Sequence, residues 1–132
     1  MALALTRRMR ALAVAESAGV RRILRDALRE AAFQVVEAEG AEGALKALAE
    51  LGPFELGLID WTSGPGGGLD LARRIRAERD FDSMRLMMVI PELRVESMLE
   101  ALKAGVDEYM VKPFTRATLL DKLAALGLGA AR

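Results

Sequence analysis

Residues 11–38 read ALAVAESAGVRRILRDALREAAFQVVEA, and this stretch decides the fold class. The run 11–15 is apolar throughout, as in a strand that is covered on both faces of a sheet. A second apolar run follows at 34–38. Between the two runs, apolar residues recur at helical spacing with arginines on the opposite face: Val20, Ile23, Leu24, Ala27, Leu28 and Ala31. The stretch therefore predicts a strand, a helix and a second strand in one β-α-β unit.

The same alternation continues to the end of the chain. Further apolar runs lie at 56–59, 86–90 and 109–111. Residues at helical spacing follow the runs, and we expect them to face the core: Ala41, Ala44, Leu45 and Leu48; Leu69, Ala72 and Ile75; Val95, Met98, Leu99 and Leu102; Leu119, Leu120 and Leu123. Strands that alternate with helices predict an α/β domain with a doubly wound, five-stranded parallel sheet and helices on both faces.

Local signals mark where several of these helices begin or end. Gly52 and Pro53 end the second helix, and Gly105 stops the fourth. Thr115 precedes the fifth helix and is a suitable N-cap, because its hydroxyl oxygen can accept a hydrogen bond from a backbone N–H of the first turn. The predicted organisation is one domain at 10–126, with an N-terminal extension before it and a C-terminal tail at 127–132.

Composition excludes several kinds of chemistry. The 132 residues contain no Cys and no His, which removes disulfides, thiolate nucleophiles, imidazole catalysis and the usual zinc ligands. Nineteen basic and nineteen acidic residues give a formal net charge of zero, which disfavours a general grip on nucleic acid or an anionic membrane. The N-terminal apolar stretch is too short for a signal peptide and no uncharged run is long enough to span a membrane, so we expect a cytoplasmic protein.

Arginines cluster in two places. The first helix carries Arg21, Arg22, Arg25 and Arg29, and the region of the third helix carries Arg73, Arg74, Arg76 and Arg79. Because such clusters are usually solvated, we interpret both as exposed helix faces.

Charged residues follow three of the predicted strands. Glu16 comes after the first strand, Asp60 ends the third and Lys112 follows the fifth. With strand order 2-1-3-4-5, the first and third strands are neighbours about 4.8 Å apart, and Glu16 can approach Asp60. Two adjacent carboxylates favour a Mg²⁺ ion between them, and a lysine at the same edge can hold an anion. This set suits phosphoryl transfer onto a carboxylate.

The segment AGVDEYMVKPF at 104–114, together with Asp60 after its apolar strand, resembles the receiver domain of bacterial two-component response regulators. The likeness covers roughly residues 10–126. It implies a flavodoxin-like fold with strand order 2-1-3-4-5. It also implies that Asp60 accepts a phosphoryl group, that Lys112 is its ion-pair partner, and that the peptide bond before Pro113 is cis.

The resemblance also implies a Mg²⁺ site, here with a degenerate acidic pocket. The ligands would be Glu16, Asp60 and the backbone carbonyl of Thr62. Receivers place two adjacent acids after the first strand, but this chain has Ala15 and Glu16, so we expect weak binding of Mg²⁺.

The switch residues depart from the family pattern as well. Ile90 stands where receivers have a hydroxyl residue, and Tyr109 is the aromatic residue that would follow that hydroxyl. Because isoleucine donates no hydrogen bond, we expect Tyr109 to keep one rotamer.

The predicted function is that of a single-domain receiver in phosphorelay signal transduction, which accepts a phosphoryl group weakly if at all. It is not an enzyme beyond self-catalysed transfer onto Asp60, and it has no DNA-binding domain. A sensor histidine kinase or phosphotransfer protein would dock on the first helix. A downstream protein would bind a face of the fourth helix, fifth strand and fifth helix: Met98, Leu102, Tyr109 and Leu119.

The alternative is a small flavodoxin-like nucleotide or cofactor binder that uses the same sheet edge. The glycine-rich loop GPGGG at 64–68 lacks the Lys-Ser or Lys-Thr pair of a phosphate-binding loop, so we expect a mobile connection there.

Overall fold

The computed structural model describes residues 8–61, 67–92 and 95–129. Within these ranges no helix is both long enough and apolar enough to cross a bilayer. Strands and helices alternate as predicted, and the strand bounds differ from the sequence-based ones by no more than one residue. The elements are β1 Arg10–Val14, α1 Ala18–Glu30, β2 Gln34–Ala38, α2 Ala41–Leu51, β3 Leu56–Asp60, α3 Gly68–Arg76, a 3-10 helix Arg79–Phe81, β4 Arg85–Ile90, α4 Val95–Lys103, β5 Glu108–Val111 and α5 Arg116–Ala125.

The sheet is parallel and has the order β2-β1-β3-β4-β5, which confirms the predicted topology. Val14 of β1 lies opposite Ile59 of β3, and Asp60 lies opposite Val89 of β4. This register brings the carboxyl ends of the central strands to one edge, where sites form in open α/β sheets.

Two apolar layers cover the sheet, and successive strand residues alternate between them. Leu12 and Val14 belong to the layer formed with α2, α3 and α4, whereas Ala11 and Ala13 belong to the layer formed with α1 and α5. Burial on both faces explains why the strands read as continuous apolar runs.

The predicted helix caps are confirmed. The Thr118 N–H donates to Thr115 Oγ1 at 3.1 Å in the first turn of α5. Gly52 and Gly105 follow α2 and α4 with positive φ angles of 79° and 96°, a backbone conformation that favours glycine.

The predicted inner face of α4 is wrong. Ala101 is the buried residue of this helix, and Met98 is half-buried. Val95, Leu99 and Leu102 are instead 68%, 51% and 50% exposed. Because α4 packs near the edge strand β5, less sheet is available to cover it than over a central strand, and only its small-residue side is enclosed.

Leu119 also differs from its expected position on the face of α4, β5 and α5. It is fully buried in the layer of α1 and α5. The reason is that α5 covers the opposite side of the sheet from α4, so Leu119 points into the core between the sheet and α5. The exposed part of that face therefore contains Leu102 and Tyr109 but not Leu119.

Arg76 holds the amino-terminal edge of the sheet together, so its assignment to a solvated arginine face is wrong. Its guanidinium donates to the carbonyls of Gly105, Phe81 and Met84 at 2.9, 3.2 and 2.7 Å. It also pairs with Asp107 Oδ2 at 2.8 Å. These carbonyls lie outside the sheet ladder, and one planar cation with five N–H groups satisfies all of them.

Gly105 and Asp107 of the 104–114 segment serve the same network. Asp107 Oδ2 accepts the Leu86 N–H at 2.8 Å, which ties β4 to the turn before β5. A Cβ atom on Gly105 would meet Cγ of Arg76, so a side chain has no room there. The glycine and the aspartate of this motif are therefore explained by packing rather than by chemistry at the other edge.

We predict that Arg76→Ala lowers the free energy of unfolding by about 2–3 kcal/mol, because it removes charged hydrogen bonds to several carbonyls at once. Exposed Arg73 on the same helix is the control, and Arg73→Ala should change the stability by less than about 0.5 kcal/mol. Urea unfolding of both variants measures the difference. Equal stability of the two variants would contradict the structural role of Arg76.

Candidate functional site

Asp60 and Lys112 meet at the carboxyl edge of the sheet. Asp60 ends the fully buried strand β3, and its side chain is 1% exposed. Lys112 Nζ lies 3.0 Å from Asp60 Oδ1, and its own side chain is 27% exposed. A buried carboxylate is costly unless a cation compensates it, and Lys112 supplies that cation. The structure thus brings together two of the residues singled out in the sequence.

The strand order explains why a lysine spans this distance. β4 separates β3 from β5, so the two strands are about 9.6 Å apart, and the long lysine side chain reaches across the end of β4. The Lys112 N–H donates to the Ile90 carbonyl at 2.9 Å, which anchors its backbone to β4. The bond from Lys112 to Pro113 is cis, as predicted.

The two residues after β1 have different surroundings. Ala15 is fully buried and its N–H donates to the Ala38 carbonyl at 3.1 Å. Glu16 is exposed and lines an open groove of about 550 Å³ with three other glutamates on the side of β2: Glu37, Glu39 and Glu42. The approach of Glu16 to Asp60 stays a prediction.

The donor set at this edge suits Mg²⁺ in its chemistry, because carboxylate oxygens are hard ligands and Mg²⁺ commonly uses one or two of them while keeping water. Asp60 provides a buried carboxylate, and Ala15 provides none. Across the described part of the chain, no group of three or more Asp, Glu, His or Cys side chains is placed to hold a metal. Thr62, and residues 64–66 of the glycine-rich loop, lie outside the described residues.

Arg21 fixes the end of β1, and the sequence-based interpretation missed this role. Its Nη1 donates to the Ala15 carbonyl at 2.8 Å, and its Nε lies 3.4 Å from Glu37 Oε1 of β2. It was assigned to a solvated face, which is wrong for this residue. The helical spacing of the arginines gave no indication that one of them folds back onto the strand end.

Ile90 and Tyr109 belong to the same apolar layer. Ile90 is fully buried there, and half-buried Tyr109 packs against the layer. Met88 lies opposite Tyr109 in the ladder between β4 and β5, so Ile90 lies two residues further along the same face of the sheet. An aliphatic side chain thus occupies the end of β4, between the strands that carry Asp60 and Lys112.

Lys122 and Glu108 hold Tyr109 from the side of α5. Lys122 Nζ lies 4.8 Å from the centre of the Tyr109 ring and 3.1 Å from Glu108 Oε1. The same oxygen accepts the Tyr109 backbone N–H at 3.0 Å. Together these contacts form a clamp of one cation–π contact and one ion pair. The sequence carried no signal for it, because Lys122 is thirteen residues from Tyr109 and on another element.

An apolar groove of about 460 Å³ lies beside Lys112. Its walls come from α1 and from the segment that follows β5: Val20, Ile23, Leu24, Lys112, Pro113 and Phe114. Ile23 is 58% exposed although its helical spacing predicted an inward position. The reason is that α1 buries Leu24 and Leu28 against the sheet, which leaves Ile23 on the rim of the groove.

Comparison with known proteins yields consistent matches. A family model described as response regulator receiver domain matches residues 11–124. The chain is 36% identical over 121 residues to chemotaxis protein CheY-3 of Vibrio cholerae, covering 90% of this chain and 92% of that protein. It is also 36% identical over 123 residues to a chemotaxis protein CheY homolog of Campylobacter jejuni, covering 92% of this chain and 95% of that protein.

Solved structures resemble the whole fold. The chemotaxis response regulator CheY4 of Vibrio cholerae superposes with a TM-score of 0.82 at 25% identity, covering 91% of this chain and 99% of that one. A receiver domain protein of Methanospirillum hungatei gives a TM-score of 0.80 at 25% identity, covering 92% and 95%.

Proposed function

Because the chain belongs to the response regulator receiver family of two-component signal transduction, we propose that Asp60 is its phosphoryl acceptor and Lys112 the cation that pairs with it. The observation that carries this proposal is the 3.0 Å contact between Lys112 Nζ and Asp60 Oδ1 at the carboxyl edge. The phosphorus bond to the donor breaks as a bond to a carboxylate oxygen of Asp60 forms. Such a transfer depends on positioning and charge neutralisation, and it requires no His or Cys in the acceptor. The protein is a signalling protein rather than an enzyme in the ordinary sense.

The metal in this proposal is Mg²⁺, which receivers typically bind at the acidic pocket. When bound, it neutralises negative charge on the transferred phosphoryl group. Its ligands here would be Asp60, Glu16 and the backbone carbonyl of Thr62. Ala15 contributes no oxygen side chain, so the metal is held weakly and phosphorylation is slow.

The phosphoryl donor, a sensor histidine kinase or phosphotransfer protein, docks on α1 in this proposal. The apolar groove beside Lys112 and the exposed side chain of Ile23 support this position. A partner helix seated in the groove would bury apolar area next to the acceptor, and Lys112 already lines both the groove and the site.

The output of the proposed receiver is largely constitutive. A hydrogen bond to a charged oxygen contributes about 1.5–3 kcal/mol, and a two-state switch needs roughly 5.5 kcal/mol to move from 1:99 to 99:1. Ile90 cannot make that bond, and the clamp of Lys122 and Glu108 favours one position of Tyr109. A downstream protein would therefore meet the exposed face of α4, β5 and α5 in one main form.

The relatives that bear chemotaxis names favour a role in chemotaxis signalling over the alternative of a nucleotide or cofactor binder. In this proposal the protein acts in the cytoplasm, through contacts with other proteins.

The first prediction concerns the metal. Trp61 follows Asp60 directly and is the chain's one tryptophan, so its fluorescence reports on this edge. Mg²⁺ should quench it at millimolar concentration, a binding free energy of about −4 kcal/mol, and Asp60→Asn should abolish the effect. Ala15→Asp should tighten binding, and Glu39→Gln serves as a groove control that leaves it unchanged. Binding by the wild type at micromolar Mg²⁺ would contradict the weak site.

A second prediction concerns the acceptor. Incubation with a small phosphodonor and Mg²⁺ should yield one phosphoryl adduct by intact-mass measurement, labile to hydroxylamine as an acyl phosphate is. Asp60→Asn should remove the adduct, whereas Asp70→Asn on α3 should retain it. Ala15→Asp should raise the labelling rate. An adduct that survives Asp60→Asn would exclude Asp60 as the acceptor.

The switch defect generates a third prediction. Amide NMR shifts of Tyr109 and Lys122 should change little when the wild type is phosphorylated, and they should change more in Ile90→Thr, which restores a hydroxyl. Ile90→Val is the matched control, because it shortens the side chain without adding a donor. Large shifts in the wild type, or equal responses of the Thr and Val variants, would count against a constitutive face.

A further inference from the structure

The outer side of α4 carries an apolar stripe: Val95, Leu99 and Leu102. The spacing i, i+4, i+7 places the three side chains along one line of the helix. Five large apolar side chains are exposed in the described residues, and three of them form this stripe. The buried side of α4, with Ala101, faces another direction, so the stripe is not part of the monomer's core.

Two opposite charges flank the stripe. Glu96 lies in the first turn of α4 and Lys103 in the last. They are seven residues apart, close to two full turns, so both lie on the same side of the stripe, about 10 Å from each other along the helix axis. Each charge is favourable for its own helix end, because the amino end of a helix carries partial positive charge and the carboxyl end partial negative charge.

We propose that this stripe pairs with the same stripe of a second copy of the chain, the two α4 helices being antiparallel about a twofold axis near Leu99. In this arrangement the two Leu99 side chains contact each other, and Leu102 of one copy lies near Val95 of the other. Glu96 of each copy then faces Lys103 of the other copy, since a twofold axis here keeps both charges on the same side of the interface.

The charges exclude the parallel arrangement. Parallel helices would place Glu96 opposite Glu96 and Lys103 opposite Lys103, which is repulsive, and would align the helix dipoles. The antiparallel pair reverses both effects. The surface is therefore self-complementary in one orientation, which is the reason for preferring a second copy to an unrelated partner.

The size of α4 limits the strength of the pairing. Nine residues span about 13.5 Å, so the interface is smaller than the roughly 1,200 Å² of a stable complex, and the association is weak and reversible. The inference goes beyond the proposed function, because it requires neither Asp60 nor a phosphoryl group. It adds one consequence: a second copy covers Leu102, so self-association and binding of a downstream protein compete.

Sedimentation equilibrium of the purified chain, from about 10 µM to about 1 mM at low salt, tests the proposal. We expect a monomer–dimer equilibrium in this range. Leu99→Glu should leave the protein monomeric, because it places two carboxylates at the centre of the interface. Ile23→Glu is the matched control, since it introduces the same charge at a similarly exposed position on α1, and it should dimerise like the wild type.

Charge exchange tests the orientation. Glu96→Lys and Lys103→Glu should each weaken dimerisation by roughly threefold or more, and the double variant should restore it. Both changes are unfavourable for the isolated helix, so loss of helix stability would make the double variant the weakest, opposite to the expectation. Thermal unfolding of every variant confirms the fold.

Three outcomes would overturn the proposal. The first is a monomer at every concentration, and the second is a dimer that Ile23→Glu abolishes while Leu99→Glu retains it. The third is a double charge variant that stays as weak as the single ones. None of them bears on phosphorylation of Asp60, so the proposed function is tested separately.

Discussion

Burial of the sheet on both faces is the constraint on which the rest of this structure depends. Strands covered by two helix layers carry apolar side chains along their length, so charged side chains reach the sheet only at the strand ends. Each edge accordingly holds one ion pair that joins distant elements. At the carboxyl edge Lys112 pairs with Asp60 at 3.0 Å, and at the amino edge Arg76 pairs with Asp107 at 2.8 Å.

The 104–114 segment serves both edges because the strand inside it is short. β5 has four residues, so Asp107 precedes it at one edge and Lys112 follows it at the other. Gly105 and Asp107 position the strand through Arg76, and Lys112 delivers a cation to Asp60. The spacing of the motif thus reflects the length of one strand across the sheet. A chain that conserves its amino-edge contacts also conserves the placement of its ammonium group.

The departures from the family pattern concentrate at the carboxyl edge. Ala15 supplies a methyl group where a carboxylate would stand, and Ile90 supplies no hydroxyl at the end of β4. The Asp60 and Lys112 pair is intact, so the proposed acceptor retains its charge partner. The weakened parts are those that hold metal and transmit the change. Lys122 adds a contact to Tyr109 in the same direction, because a cation over the ring and a shared carboxylate both favour one position of that side chain.

The sequence alone determined the order of the elements, the strand ends and the Thr115 cap, because these depend on residues close together in the chain. It also placed Asp60, Lys112 and the cis bond before Pro113, through strand ends and a specific motif. Tertiary structure decided which side of α4 is buried, since three of its apolar residues at helical spacing remain exposed. It also decided that Arg76, Arg21 and Lys122 reach carbonyls, carboxylates or a ring on other elements. Periodicity shows that a helix has two faces, but only the packed neighbours determine which face they cover and which long side chain they can accept.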